Sequence, residues 1–593
     1  MANFAIEITQ NQKPHKNIPM NKPICLLALV CAVLLPASAD AGIARTPVAP
    51  ARIVWMSDTT GNFIKNPEIL MKDFAGQVSV ADNNCTVMRS DPKHQAAILM
   101  DFGKELHGAI RISSGMRAST RPLRLRVRLG ESVSEAMSDV SPDCNPQNAT
   151  NEHAMRDFEV QVPWLGSIEY GNSGFRFARI DLLDQDVDYL LRNIQAISVM
   201  IDDPQVGSFN CSDDRLNKIW QTGAYTVQLN MQDYLWDGIT RDRLVWLGDL
   251  HPEVMTVSNV WGKHDVVRRT LDFGKNDTPL PGWMNGFSSY SMWWLMIHHD
   301  YYLHNGDLAY LKENQEYIKG LTRQLDECVD ANGEEKMTGV RFLDWPTSEK
   351  IDVIHDGLQA LTYMTLKAVR DIAGWLGDKE LDGIASSCMK RMEKCDMQHT
   401  DASQALSLSL LAGTSKDVKG DVKKLIDNGL NSFSPFYGYY AIEALAANGE
   451  IDTAMKMVSD YWGSMIDLGA TTFWEHLYYP DTKKAGRIDE IVPAGTYDIH
   501  GDGGEYCYVG LRQSLCHGWA AGPTPWLQRY VLGVKPVEPG CKTVEVKPHL
   551  GDLAFAEGTV PTPYGPLSVK AHKDASGKTV CSVKAPKGVK VIK

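Results

Sequence analysis

The chain has 593 residues, 44% of them hydrophobic and 9% aromatic. That is too long for one compact core, and the composition excludes a disordered or fibrous chain. Its 60 basic residues stand against 73 acidic ones, a net charge of -13 with no long basic run, which excludes binding along a polyanion such as nucleic acid.

The N-terminus has the order of an export signal. Met20-Asn21-Lys22 precedes an apolar run, Ile24 to Leu35, and the small-residue segment Ala37-Ser38-Ala39-Asp40-Ala41 follows. A charged, apolar and small-residue succession of this kind predicts a cleaved signal over 1–41, with 1–19 as an unused upstream start. The expectation is an exported protein, periplasmic or secreted. No later run reaches the about 18 apolar residues of a membrane span, so no membrane insertion is expected.

From about residue 50 the pattern has period two. Leu123, Leu125, Val127 and Leu129 alternate with Arg124, Arg126 and Arg128, placing apolar groups on one face and charge on the other. "AIRIS" (109–113), "FRFARIDLL" (175–183) and "IQAISVMID" (194–202) read the same way. Residues 42–207 therefore read as an antiparallel β-sandwich. The period changes at "SDDRLNKIW", where Ser212 reads as an N-cap and two acids favour the helix N-terminus. Leu216, Ile219, Trp220, Val227, Met231 and Tyr234 follow at helical spacing. Helical pattern continues to about residue 530. Turns at Gly306, Gly377 and Gly449 are spaced by roughly the length of two helical hairpins, which suggests a toroid over 208–535. After "VLGVKP" the strand pattern returns, and 536–593 reads as a small C-terminal β domain.

Cysteine and histidine offer little chemistry. Two of the twelve cysteines, Cys25 and Cys31, lie in the signal, and the others form no paired CxxC pattern, so no zinc site is expected. His298-His299-Asp300 could be taken for a metal cluster, but on a helix adjacent histidines point about 100° apart. Asn148-Ala149-Thr150 matches a glycosylation sequon.

One loop is different. "WDGITRDRLVWLGD" (236–249) packs three aspartates, two arginines and two tryptophans into fourteen residues without periodicity. Asp237, Asp242 and Asp249 need compensating cations or a ligand in a dry cleft, and Arg241 and Arg243 suit that purpose. The alternative is a surface salt-bridge turn closing a helix that ends near Leu235. A second acid, Glu475 in "GATTFWEHLYY", sits among aromatics, where burial should raise its pKa. Glycoside hydrolysis needs two carboxylates, one for the leaving oxygen and one for water or sugar, and no cofactor. Fifteen tryptophans provide flat faces for sugar rings, although most tryptophans serve a core.

These motifs, in this order, resemble glycoside hydrolase family 78, the α-L-rhamnosidases. "DGITRDRLVWLGD" resembles the family's catalytic loop, and "GATTFWE" its second acidic motif. "SLCHGWAAGPTPWLQRYVLGVKP" (514–536) is similar to its His-containing closing segment. "ILMDFGKELHGAIRI" and "GFRFARI" resemble its N-terminal β domain, and "GTVPTPYGPLSV" its C-terminal one. The resemblance implies a multidomain α + β chain, with a central (α/α)6 barrel flanked by an N-terminal β-sandwich and a small C-terminal β domain. It also implies an inverting exo-glycosidase acting on terminal α-L-rhamnosides. By position Asp242 is its general acid and Glu475 its general base. Asp237, Arg241, Asp249 and His517 would hold sugar hydroxyls, Trp246 would pack on the ring, and Trp345 in "FLDWPTS" would face the C5 methyl.

The chain departs from the family at one place. Asp242 stands where the family usually has Glu, which withdraws the acid by about 1.3 Å, and misplacement on that scale costs on the order of a hundredfold in rate. Either the backbone compensates or the preferred sugar differs. Other readings are another toroid glycosidase, a polysaccharide lyase, or a non-catalytic carbohydrate-binding protein. The partner in each case is a carbohydrate, and the sequence leaves the oligomeric state open.

Overall fold

The structure is a computed structural model describing residues 42–81, 83–139, 156–395, 400–503 and 511–593. The expected signal at 1–41 and the Asn148 sequon lie outside them.

The N-terminal part is one nine-stranded antiparallel sheet. Strand Leu123–Gly130 has the burial its alternation predicts at its start, with Leu123, Leu125 and Val127 inside. Arg128 is buried too, held by Asp181 at 3.0 Å and Asp139 at 2.9 Å. The long strand Ala97–Ser114 changes neighbours along its length. It pairs with Arg52–Met56 at its start and with Asp188–Ile201 at its end, while Gly166–Leu182 accompanies it throughout. Register shifts between Asp101 and Leu106, and between Gly108 and Ile110, mark where it bends, as bulges do. The expected sandwich is thus built on one continuous ladder, not on two separate hydrogen-bonded sheets.

Helices follow, and burial divides them into two kinds. Leu250–Val260 is buried along its whole length, and Ser403–Ala412 and Pro435–Ala447 nearly so. Pro435–Ala447 is apolar nearly all round, as an interior helix should be, whereas Leu250–Val260 takes His251, Glu253 and Asn259 inside with it. Asp265–Asp277, Gln315–Glu327 and Lys379–Met392 bury one stripe only. The interior helices pack in succession: Leu250–Val260 on Ser288–Asn305, that helix on Ile351–Leu376, then Ser403–Ala412 and Pro435–Ala447. Short helical turns over 518–531 pack against both Pro435–Ala447 and Leu250–Val260. Gly306 and Gly377 are left-handed C-caps at φ 66° and 68°, a conformation glycine adopts without steric cost.

Three boundaries differ from the sequence reading. The first helix is Asp214–Asn230, capped by the Asp213 side chain accepting from Arg215 N. Ser212 instead accepts a hydrogen bond from Ala554 N at 2.8 Å. Strand Ser208–Cys211 joins the C-terminal sheet by pairing with Phe555–Val560, and Val534–Pro536 pairs with Thr543–Val546. The chain from Ala470 to His517 is loop with one short 3-10 turn and two two-residue strands rather than helix among the described residues. That loop carries Glu475.

Candidate active site

The loop Trp236–Asp249 joins the helices Asp214–Asn230 and Leu250–Val260 and is tied down at several points. Asp237 N donates to Leu244 O at 3.0 Å, and Leu244 N donates back to Asp237 Oδ1 at 2.8 Å, closing the loop on itself. Gly518 N donates to Asp237 O, and from the β domain Gly174 N donates to Ile239 O. Arg243 Nη1 donates to Asn172 O at 2.6 Å. Asp242 and Arg243 both adopt left-handed backbone, at φ 60° and 53°. Two consecutive non-glycine residues in that region are uncommon and concentrate at functional sites.

The structure gathers the acids of this loop with those of the distant one. Arg241 donates to Glu475 Oε2 from one terminal nitrogen, and its other lies 3.5 Å from Asp242 Oδ2. Ser514 N donates to Glu475 Oε2 at 3.1 Å, and Trp519 Nε1 to Glu475 O at 2.9 Å. His517 Nε2 stands 3.3 Å from Asp249 Oδ2, and the His517 N–H holds Phe473 O. Asp237, Arg241, Asp249, Glu475 and His517 are all buried, while the Asp242 side chain remains 13% exposed. Asp242 is the carboxylate of the group that opens outward.

Burial raises the pKa of Asp237 well above the ordinary carboxylate range, reinforced by Asp242 and Asp249 and opposed by His517. Burial lifts Asp249 as well, against the pull of His517. Glu475 goes the other way. Burial pushes its pKa up, but Arg241 and His517 outweigh that and hold it below normal. The expected upward shift at Glu475 is therefore corrected: a guanidinium from 234 residues upstream decides its charge, not its aromatic neighbours. Burial would depress His517, yet Glu475 and Asp249 raise it. A histidine whose protonation its acidic neighbours favour, and an arginine, thus face a group of acids, some of them favoured neutral.

The expected aromatic residues form one wall. Trp246 Nε1 donates to Asp242 Oδ2 at 3.3 Å, so the indole orients the acid. Its ring meets Phe287 at 6.3 Å, Phe287 meets Phe342 at 5.4 Å, and Phe342 meets Trp345 at 5.1 Å. Trp345 opens a 3-10 turn behind Asp344, which is buried and accepts from Thr347, Gln404 and Ser434.

Other residues escaped the sequence reading. Glu253 is buried one helical turn after Asp249, and neither carboxyl oxygen meets a donor among the described residues. Glu131, from the β domain, accepts from Leu515 N at 3.0 Å, and burial with Glu135 nearby pushes its pKa up to about 8. The i,i+4 spacing from Asp249 was a signal for Glu253. Nothing in the sequence around Glu131 marks it. The His298-His299 pair divides: His298 Nδ1 meets Trp294 O at 2.9 Å, while His299 meets Asp300 at 2.7 Å and Asp371 at 3.3 Å. Among the described residues no group of three or more His, Cys, Asp and Glu side chains is arranged to hold a metal. Nor is any helix there long and apolar enough to cross a membrane.

Residues 204–531 match the bacterial α-L-rhamnosidase six-hairpin glycosidase domain, and 533–592 match the bacterial α-L-rhamnosidase C-terminal domain. An α-L-rhamnosidase of Alteromonas sp. (strain LOR) is 22% identical over 465 residues, which is 70% of this chain and 47% of that protein. One from Formosa agariphila is 26% identical over 157 residues, 26% of this chain and 16% of that protein. The chain therefore spans less than half the length of these curated relatives. Among solved structures, the GH78 family rhamnosidase of Bacillus sp. GL1 superposes with a TM-score of 0.70 at 20% identity, covering 88% of this chain and 55% of that one. The Streptomyces avermitilis α-L-rhamnosidase complexed with L-rhamnose gives 0.67 at 18%, covering 93% and 50%. A Klebsiella oxytoca rhamnosidase with rhamnose bound gives 0.61 at 19%, covering 82% and 96%. At these identities the likeness is one of fold.

Proposed function

The chain belongs to the bacterial α-L-rhamnosidase six-hairpin glycosidase family, and from that premise we propose that it hydrolyses terminal α-L-rhamnosides with inversion. The observation that carries the reading is the single guanidinium of Arg241 set between Glu475 and Asp242. Two carboxyls flanking one bond are what glycoside hydrolysis requires.

In this reading Asp242, the outward-facing acid, protonates the departing oxygen, with Trp246 Nε1 fixing its orientation. Glu475, kept ionised by Arg241 and His517, takes the proton from the attacking water. Asp237 and Asp249 hold ring hydroxyls together with His517, and positive charge on His517 and Arg241 balances them. Trp246 and Trp345 supply apolar surface for the ring and its methyl. Arg241 and Ser514 N both hold Oε2 of Glu475, which leaves Oε1 to take the proton of water.

The packing circuit of the interior helices, closed by the turns over 518–531, supports an (α/α)6 barrel with the site at one mouth, flanked by the two β regions. The Met20–Ala41 pattern supports export, which N-terminal sequencing of the exported protein would test: a start at Asp40 or Gly42 is expected, and a cytosolic protein starting at Met1 would overturn it. A lyase would need a free cation to bind its uronate, whereas Arg241 is engaged by Glu475.

The test is hydrolysis of an aryl glycoside panel, with proton NMR following the anomer released. Rhamnose released as the inverted anomer is expected. A retained anomer overturns the mechanism, and binding without turnover overturns the enzyme reading.

A further inference from the structure

The loop that carries Glu475 is held from the β domain. Strand Leu123–Gly130 is followed by three residues that each reach the chain between Ala470 and His517. Glu131 Oε2 accepts from Leu515 N at 3.0 Å. Ser132 Oγ accepts from Glu135 N at 3.0 Å, which leaves its own hydrogen for His500 Nδ1 at 2.7 Å, and His500 Nε2 stands 3.0 Å from Gln513 O. Val133 N donates to Ile488 O at 2.8 Å.

Between the two anchored residues, Gln513 and Leu515, lies Ser514, which meets the base twice. Ser514 N donates to Glu475 Oε2 at 3.1 Å, and Ser514 O accepts from Glu475 N at 2.9 Å. Burial would raise the Glu475 pKa, and Arg241, His517 and then the Ser514 N–H bring it below normal. A hydrogen bond weakens steeply as its geometry opens, so the strength of this one depends on what holds the neighbours of Ser514. Glu131 is itself buried. Burial, and then Glu135, push its pKa up to about 8, against Leu515 N, Thr240 and Arg241. Near neutral pH it is therefore mostly protonated, and it fixes the backbone without adding a full negative charge beside the base.

We propose that Glu131 is a positioning residue for the general base: by holding Leu515 N from the β domain, it keeps the adjacent Ser514 N–H on the Glu475 carboxylate. The proposal rests on the rhamnosidase reading above and adds to it a residue outside both catalytic loops. Ser132 and His500 brace the other side of Ser514 through Gln513. The titratable groups facing Glu475 are Arg241, His517, Asp249 and His476, and those facing Glu131 are Glu105, Glu135 and Arg241.

The experiment compares Glu131→Gln, which keeps an acceptor for Leu515 N, with Glu131→Leu, which removes it. Both replacements are uncharged, so a difference between them reads the acceptor and not the charge. Each is followed by kcat, KM and the pH profile of kcat/KM on a nitrophenyl rhamnoside, with thermal melts to check folding. Glu131→Leu should move the acidic limb set by Glu475 to higher pH by about half a unit, part of the roughly one unit or more that a hydrogen bond to an ionised group is worth. Its kcat should fall about tenfold, the scale of a misplacement well under 1 Å, with KM changed little. Glu131→Gln should keep the limb and most of kcat. Ser132→Ala, which cuts the route to Gln513, should act in the same direction by less, and it carries the test if Glu131→Leu does not fold. An acidic limb that stays in place in the folded variants overturns the role even where Tm falls, and so does a Glu131→Gln as impaired as Glu131→Leu. Wild type that turns over no rhamnoside overturns the rhamnosidase reading and this role with it, whereas an active Glu131→Leu with an unmoved limb overturns the role alone.

Discussion

Arg241 donates to the Glu475 carboxylate across 234 residues of chain, joining the two loops that supply the site. Both partners are buried, so each would be costly to leave alone in the dry interior. The pair accounts for the difference between an acid that its burial should make neutral and one that stays ionised. It also gives Arg241, expected from the sequence to hold a sugar hydroxyl, a contact with Glu475.

Arg241→Gln should therefore move the pH dependence of catalysis. Without the guanidinium, burial becomes the main influence and the Glu475 pKa rises. Glu475 serves as a base only when ionised, so the acidic limb of kcat/KM should shift to higher pH by about one unit or more. Activity should fall further at pH 5 than at pH 8. The measurement is a pH–rate profile of the free enzyme, and an unmoved acidic limb would assign that limb to another group.

Asp242→Asn and Glu475→Gln should separate by leaving group. Protonation matters most when the departing oxygen is basic, so Asp242→Asn should depress hydrolysis of a sugar-linked rhamnoside by about 10²–10⁴-fold and a nitrophenyl rhamnoside much less. Glu475→Gln should depress both, because water must be activated whatever departs. Equal losses in Asp242→Asn would make it a binding residue. Asp237, whose burial favours the protonated form, would then be the next proton donor to test.

His517 links the site to stability. Its folded pKa is raised above the ordinary histidine value by Glu475 and Asp249 despite burial. A raised folded pKa means that the protonated form stabilises the fold fully below about pH 6.5 and that this contribution fades as pH rises through the folded value. His517→Gln should thus lose most stability in acid, of order 3 kcal/mol at pH 5.5 by analogy with a broken buried pair, and progressively less toward pH 9. Thermal melts across that range decide it. A pH-independent loss would show that the pKa of His517 is the same in the folded and unfolded chain.

What the sequence made legible follows from the range of the forces involved. Leu123 to Leu129 could be placed because alternation is a local signal. The loop Trp236–Asp249 stood out because charge and aromatic surface are crowded in one short stretch. The protonation of Glu475 was misread because Arg241 reaches it from another part of the chain. Glu131 went unseen for the same reason, since Leu515 reaches it from far along the chain; Glu253, four residues after Asp249, had a local signal that was passed over. Ser208–Cys211 falls within the expected toroid of 208–535, and only its distant partner Phe555–Val560 makes it a strand. Leu250–Val260, buried all round, offers no apolar stripe to detect.

The aspartate at position 242 yields a last prediction. Its backbone is left-handed, as is that of Arg243, and Asp tolerates this conformation better than longer side chains because its short polar group can bond locally. The carboxylate also meets Trp246 Nε1 at 3.3 Å, so the acid is already oriented at its present length. The left-handed backbone and the Trp246 contact together hold the shorter acid in one orientation. Asp242→Glu should then overreach by about 1.3 Å and strain the loop as well. It should lower kcat on a sugar-linked rhamnoside by at least about tenfold, short of the roughly hundredfold of a full misplacement. Stability should fall by only about 1 kcal/mol, the scale of one strained residue. Paired measurements of kcat and Tm test both halves. If the glutamate variant matches or exceeds wild type, the loop has not adapted to aspartate, and the shorter acid is a handicap that this chain carries.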